Sequence, residues 1–145
     1  MYELILKKRH PFVNFLLFIF AMSITTEVLK LIFQNPSVDE QLLATSQEIN
    51  KQCPYMVDSL TQLDNTIALP NHLLQYNYTF YKSDKENIDT VALKESMRES
   101  LVNKLRTDPK FAIFKEDHVV VGSRFYDRTG HYVCAMQVTP AEYAK

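Results

Sequence analysis

Apolar and polar residues alternate through most of Leu73-Leu74-Gln75-Tyr76-Asn77-Tyr78-Thr79-Phe80-Tyr81. Leu74, Tyr76, Tyr78 and Phe80 fall on one side of this stretch, and Gln75, Asn77 and Thr79 on the other. Successive side chains of a strand point to opposite faces, so the period of two predicts a strand with its aromatic face on a core. Four large side chains on one face need a covering layer, and two stretches at helical spacing supply it. The first opens at Ser37-Val38-Asp39-Glu40, a capping box after the break at Asn35-Pro36. Its modest apolar stripe is Leu42, Ile49 and Cys53 with Leu43 and Ala44 beside them, and Pro54 marks its end or a bend. The second is capped by Asp89 or Thr90. Leu93, Met97, Leu101 and Leu105 recur every four residues there, leaving Lys94, Glu95, Arg98 and Glu99 for solvent.

The remaining strands follow from the same patterning. Tyr55 to Leu69 reads as a first strand, with Leu63, Asn65, Ile67 and Leu69 opposed to Gln62, Asp64, Thr66 and Ala68, and Pro70-Asn71-His72 as the turn after it. Lys82 to Asn87 is a polar loop. Asp108-Pro109 caps a short helical turn that Phe111 and Phe114 pin to the core. Val119 to Tyr126 and His131 to Val138 are strands joined by Asp127-Arg128-Thr129-Gly130, with Tyr132, Cys134, Met136 and Val138 on one face. The expected fold class is α+β: an N-terminal membrane helix, then α-β-β-α-β-β. Hairpin connections throughout predict a mainly antiparallel sheet covered on one face by helices.

Residues 1 to 34 are patterned differently. Lys7-Lys8-Arg9-His10 precede the apolar run Phe12 to Ile24, whose only strongly polar member is Asn14. A basic flank before an apolar run is the layout of a secretory signal or a signal anchor. Thirteen residues reach only about 20 Å, short of a hydrocarbon core of roughly 30 Å. The pattern resumes at Val28-Leu29 and Leu31-Ile32-Phe33, however, so a helix over residues 11–33 would span, with Glu27 and Lys30 three apart in its outer third. The rival is cleavage after Ala21-Met22-Ser23, a loose match to the small-x-small rule. Two regions are therefore expected: residues 1–34 as anchor or signal, and residues 35–145 as one extracytoplasmic domain.

Composition then narrows the chemistry. The chain has formal net charge -1, and residues 35–145 hold 12 basic and 15 acidic side chains. No basic field for nucleic acid exists. With two glycines, Gly122 and Gly130, a Gly-rich nucleotide loop cannot be built. The histidines show no metal-ligand spacing, so no metal site and no cofactor is expected. Cys53 and Cys134 are the only cysteines. A bridge between them would close a loop of about 80 residues, while two free core thiols satisfy the same pattern. No spacing ties His72, His118 or His131 to a cysteine, and no catalytic set stands out. Asp58, Asp64 and Asp127 would serve acid-base work if they met in space, and serve turns and caps if they do not. Tyr76 and Tyr78 belong either to a stacking or peptide-binding surface or to a core.

The stretch Asn50-Lys51-Gln52-Cys53-Pro54-Tyr55-Met56-Val57-Asp58, continued by Thr61-Gln62-Leu63-Asp64, resembles small bacterial envelope proteins of unassigned function. They pair an N-terminal hydrophobic segment with an N-x-x-C-P-x-x-V-D-x-x-T-x-L-D stretch, a Y-x-Y strand, here Tyr76-Asn77-Tyr78, and a closing hairpin, here Tyr126-Asp127-Arg128-Thr129-Gly130. The resemblance covers roughly residues 48 to 140 and implies a location without an activity. Asn50, Asp58, Thr61, Asp64, Tyr76, Tyr78 and Asp127 are the candidate binding residues. The function expected is that of a non-enzymatic, membrane-anchored periplasmic domain on the bacterial inner membrane that binds another envelope protein or assembly. The alternatives are a hydrolase or thiol enzyme using Cys53 or the three aspartates, and a binder or inhibitor secreted after cleavage near Ser23.

Overall fold

The computed structural model describes residues 36–145. The segment 11–33 expected to enter the membrane lies outside the described residues; among those described, no helix is long and apolar enough to cross a membrane. The chain runs α1 (Val38–Asn50), β1 (Tyr55–Met56), β2 (Thr61–Leu69), β3 (Leu73–Phe80), α2 (Thr90–Thr107), α3 (Ala112–Glu116), β4 (Val120–Tyr126), β5 (Tyr132–Val138) and α4 (Pro140–Tyr143). The strands form one sheet in chain order, β1-β2-β3-β4-β5.

Local chemistry starts and stops the helices where the sequence indicates. Ser37 and Glu40 close the capping box, with Ser37 N donating to Glu40 Oε2 at 2.8 Å and Glu40 N to Ser37 Oγ at 3.3 Å. Asp89 Oδ1 accepts from the amides of Val91 and Ala92 at the head of α2. Met97, Leu101 and Leu105 are that helix's buried residues. Phe111 and Phe114 meet edge to face at 5.5 Å inside the core.

The sheet's inner face is the aromatic one. Tyr78 stacks on Phe125 at 5.4 Å and Phe80 on the same ring at 5.5 Å. Tyr76 lies beside Tyr78 at 6.3 Å. All four rings are buried.

Four features depart from the expected layout. Residues 55 to 69 are two strands, because Asp58 Oδ1 accepts from the amides of Leu60 and Thr61 and turns the chain between β1 and β2. The sheet thus has five strands. The connections are not hairpins throughout: α2 and α3 carry the chain across between β3 and β4, which pair parallel, while the other three pairings are antiparallel. Third, β2 bulges, pairing Leu63 with Tyr78 and Asn65 with Asn77, so Asp64 is an extra residue. A bulge inverts the alternation after it. Thr66 is accordingly buried and Ile67 is 42% exposed. The same happens in β5, where Phe125 pairs with Cys134 but Tyr126 with Tyr132. Tyr132 leaves the face of Cys134, Met136 and Val138 and is 49% exposed.

Candidate functional site

Asn50, the last residue of α1, turns its side chain onto β2. Its Oδ1 accepts from Thr66 N at 2.7 Å and its Nδ2 donates to Thr66 O at 2.8 Å. The carboxamide takes the place of a neighbouring peptide group along a strand edge that the short β1 leaves bare. Ser46 Oγ donates to the same carbonyl at 2.9 Å, which explains why polar Thr45 and Ser46, rather than Leu43, lie on the buried side of α1.

The other residues of the motif cluster at the join between α1 and the sheet. Asp58 Oδ1 holds the turn, while Oδ2 is sealed from solvent beside the Thr61 hydroxyl. Burial pushes the Asp58 carboxyl above its ordinary value, against the opposing pull of the Leu60 and Thr61 amides and the Thr61 hydroxyl. Thr61 is fully buried. Asp64, by contrast, is engaged on the sheet's outer face. Gln62 Nε2 and Thr79 Oγ1 both donate to it at 2.7 Å.

Cys53 and Cys134 are free thiols, so no bridge joins them. Cys53 precedes β1 at one side of the sheet and Cys134 lies in β5 at the other. Strands spaced about 4.8 Å apart put such positions well outside the Cα separation of a disulfide. Burial, with a smaller push from Asp64, raises the Cys53 thiol to about 11, so it is not a thiolate at neutral pH. Cys134 is raised as well, by burial.

Asp127 sits apart, in the β4–β5 turn. Its Oδ1 accepts from Thr129 Oγ1 at 2.7 Å, Thr129 N at 2.8 Å and His131 N at 2.9 Å, and its Oδ2 from Lys85 N at 3.2 Å. These donors, the Thr129 hydroxyl foremost, hold its carboxyl well below the usual range. Arg128 Nε donates to Asp84 Oδ1 at 2.5 Å across the same join. The aspartates named in the sequence therefore serve a turn, a bulge and a hairpin. Among the described residues no three His, Cys, Asp or Glu side chains come together to hold a metal.

Tyr76 and Tyr78 are 2% and 4% exposed beneath the helices, so neither presents a ring to solvent. The other face of the sheet, which sequence reasoning did not single out, is polar along β3, with Gln75 and Asn77 buried. There Gln75 Nε2 donates to Asn77 Oδ1 at 2.9 Å, and Asn77 Nδ2 to Asn65 Oδ1 at 2.6 Å. The parallel register sets Gly122 beside Gln75, Arg124 beside Asn77 and Tyr126 beside Thr79. Tyr126 in turn meets Tyr132 edge to face at 6.3 Å. The alternation of Gln75, Asn77 and Thr79 signalled this face; the placement of Arg124 within it required the β3–β4 register.

A five-stranded, mixed sheet with helices on its inner face defines an α+β domain. The chain belongs to the family described as a domain of unknown function (DUF8479), whose model matches residues 37–137. No curated protein matches it. Three solved structures share the fold. A Pseudomonas aeruginosa protein described as secreted superposes with a TM-score of 0.60 at 11% identity, over 72% of this chain and 91% of that one. The pilotin EpsS of the Vibrio vulnificus type 2 secretion system gives 0.58 at 10% identity, over 74% and 92%. The type II secretion system pilotin AspS of Vibrio cholerae gives 0.54 at 8% identity, over 72% and 91%.

Proposed function

We propose that this chain is an extracytoplasmic, non-enzymatic binding domain, held at the bacterial inner membrane by residues 11–33, whose partner is another envelope protein or a secretion-type assembly. One observation carries the reading: the domain's fold spans more than nine-tenths of each of three solved domains, one described as secreted and two as pilotins of type II secretion systems. The sequence adds an apolar segment behind a basic cluster, followed after only Gln34-Asn35-Pro36 by the cap of α1. The candidate thiol and carboxylates favour the same reading. Cys53 is protonated at neutral pH, and Asp58, Asp64 and Asp127 each hold local structure.

The test is fractionation of cells making the full chain, with the N-terminal mass measured and envelope partners cross-linked in place. An intact N-terminus in the membrane fraction, with a reproducible envelope partner, is the expected result. A mass short by more than twenty residues would replace the anchor by export and cleavage near Ser23. A cytosolic chain, or one with turnover and no partner, would overturn the proposal.

A further inference from the structure

On α2, Val91, Glu95, Arg98 and Val102 recur at intervals of four, three and four residues, so they form one stripe along the helix, beside its buried line of Met97, Leu101 and Leu105. Val91 is 62% exposed, more than any other large apolar side chain among the described residues. Glu95 and Arg98 are exposed, and Val102 is half-buried with one side on the core. Lys94 and Glu99 lie off the stripe, about 70° to either side. Among the described residues Glu95 has no ion pair. Arg98 Nη1 donates to the Glu142 carboxylate and Arg106 Nη2 to the Glu142 carbonyl, so two guanidinium groups share a single carboxylate. Arg98 keeps Nε and Nη2 open for a second carboxylate among the described residues. The helix packs on β5, an edge strand without a charged residue from Tyr132 to Val138, so the charges that usually fend off a like edge are missing beneath the stripe.

We infer that α2 pairs with the α2 of a second copy of this chain, antiparallel about a two-fold axis between Ser96 and Met97, with Val91 of each copy on Val102 of the other and Glu95 on Arg98. The argument is charge complementarity, fixed by the order of the four residues. Half a turn about that axis exchanges the position of Val91 with that of Val102 and the position of Glu95 with that of Arg98. Four charges then alternate in sign around the axis, and a pair of valines closes each end. A parallel pair would set Glu95 on Glu95 and Arg98 on Arg98, so the charges choose both direction and register. A purely apolar occupant would cover Glu95 without a countercharge, which is costly. The stripe is about 16 Å long, three turns of helix. This pairing goes beyond the partner-binding reading above and does not depend on it.

The experiment follows the full chain by sedimentation in a mild detergent, with micelles in large excess so that two copies do not share one by chance. The parent chain is expected to show a monomer–dimer equilibrium. Glu95→Arg and Arg98→Glu should each weaken self-association about tenfold or more, because each sets like charges together. Mixed with one another, the two variants should pair about as well as the parent, since every contact across the axis again joins opposite charges. Both positions are exposed, so the unfolding midpoints should move little. A second measurement reads the register directly. Val91→Cys and Val102→Cys chains, oxidised together, should cross-link to each other above the background set by Cys53 and Cys134 in the parent. Either alone should not, because its two new thiols would lie about 16 Å apart along the axis. A monomer at every concentration, a dimer indifferent to Glu95→Arg, variants that pair no better mixed than alone, or Val91→Cys joined to itself would each overturn the inference.

Discussion

Asn50 works as a spare peptide group. Its carboxamide completes the ladder at Thr66 where no strand does, so its loss strands the Thr66 amide at a partly buried edge and leaves the Thr66 carbonyl with the Ser46 hydroxyl alone. Asn50→Ala should cost about 1–3 kcal/mol in urea unfolding. Asn50→Asp should cost no less, because a carboxylate keeps the bond from Thr66 N but turns an acceptor toward Thr66 O. A variant as stable as the parent would refute this role. Asp58 and Asp127 give opposite responses to pH. The folded value of Asp127 lies below its unfolded value of about 3.9, so its contribution is complete above that pH and is lost as pH falls through the folded value. Asp127→Asn should flatten the acid limb of the stability profile. Asp58 is raised, so the folded state holds its proton longer and stability falls as pH rises from about 3.9 through its folded value. Asp58→Asn keeps an acceptor for the Leu60 and Thr61 amides and should remove that fall, leaving a chain at least as stable at neutral pH. Unfolding midpoints measured from about pH 2 to about pH 7 separate the two effects.

At the scale of elements, β2 and β3 show what patterning can and cannot reveal. β3 has no bulge, so Leu74, Tyr76, Tyr78 and Phe80 read correctly as one buried face. In β2 the hydropathy of Leu63, Ile67 and Leu69 suggests unbroken alternation, yet the extra residue Asp64 sends Ile67 outward. Nothing in residue type marks which position a bulge takes. The Ser37–Glu40 capping box, the Asp108-Pro109 turn and the Gly130 hairpin were legible because each is local chemistry. The parallel β3–β4 pairing was not, since it depends on where α2 and α3 return the chain. The same limit hid Arg124, whose neighbours are set by that register. It also left Asn50, Asp58 and Asp127 readable as polar and clustered in a motif, but not as partners of main-chain groups. The bulge has a direct test. Deleting Asp64 keeps Asn65 opposite Asn77 and makes the alternation regular, so the chain should still fold, losing only the bonds from Gln62 and Thr79. Deleting Ile67 slips the remainder of β2 and sends Ala68 and Leu69 to the wrong faces, which should abolish the cooperative transition. Equal damage from the two deletions would argue against the register.

At the scale of the whole molecule, the two halves of the chain are stitched at both ends of the sheet and again by the C-terminal turn. At one end His72, held at positive φ, donates its amide to Asp39 Oδ1 at 3.0 Å while its carbonyl accepts from Val120 N at 2.8 Å, tying α1 and the β2–β3 turn to β4. At the other end Asp127 and Arg128 grip the loop after β3. The last stitch is α4. Tyr143 is fully buried with its hydroxyl between the carbonyls of Phe114, 3.0 Å away, and Val119, while Arg98 pairs with Glu142 and Arg106 Nη2 donates to Glu142 O at 2.6 Å. The buried ring and hydroxyl should dominate, because the ion pair is half exposed and worth at most about 1 kcal/mol. Tyr143→Phe removes the hydroxyl donor from the Val119 carbonyl, leaving the Phe114 carbonyl only the Val119 amide, and should cost about 1–3 kcal/mol; Tyr143→Ala also opens a cavity and should cost about 3–5 kcal/mol. Burial raises the hydroxyl to about 12. The folded state therefore keeps this proton longer than the unfolded chain, and stability declines as pH rises from about 10 toward that value. Tyr55 is raised to about 12 by burial too, so Tyr143→Phe should shallow the alkaline limb without flattening it. If Tyr143→Phe leaves both the neutral stability and the alkaline slope unchanged, the C-terminal turn is not what closes α3 onto β4.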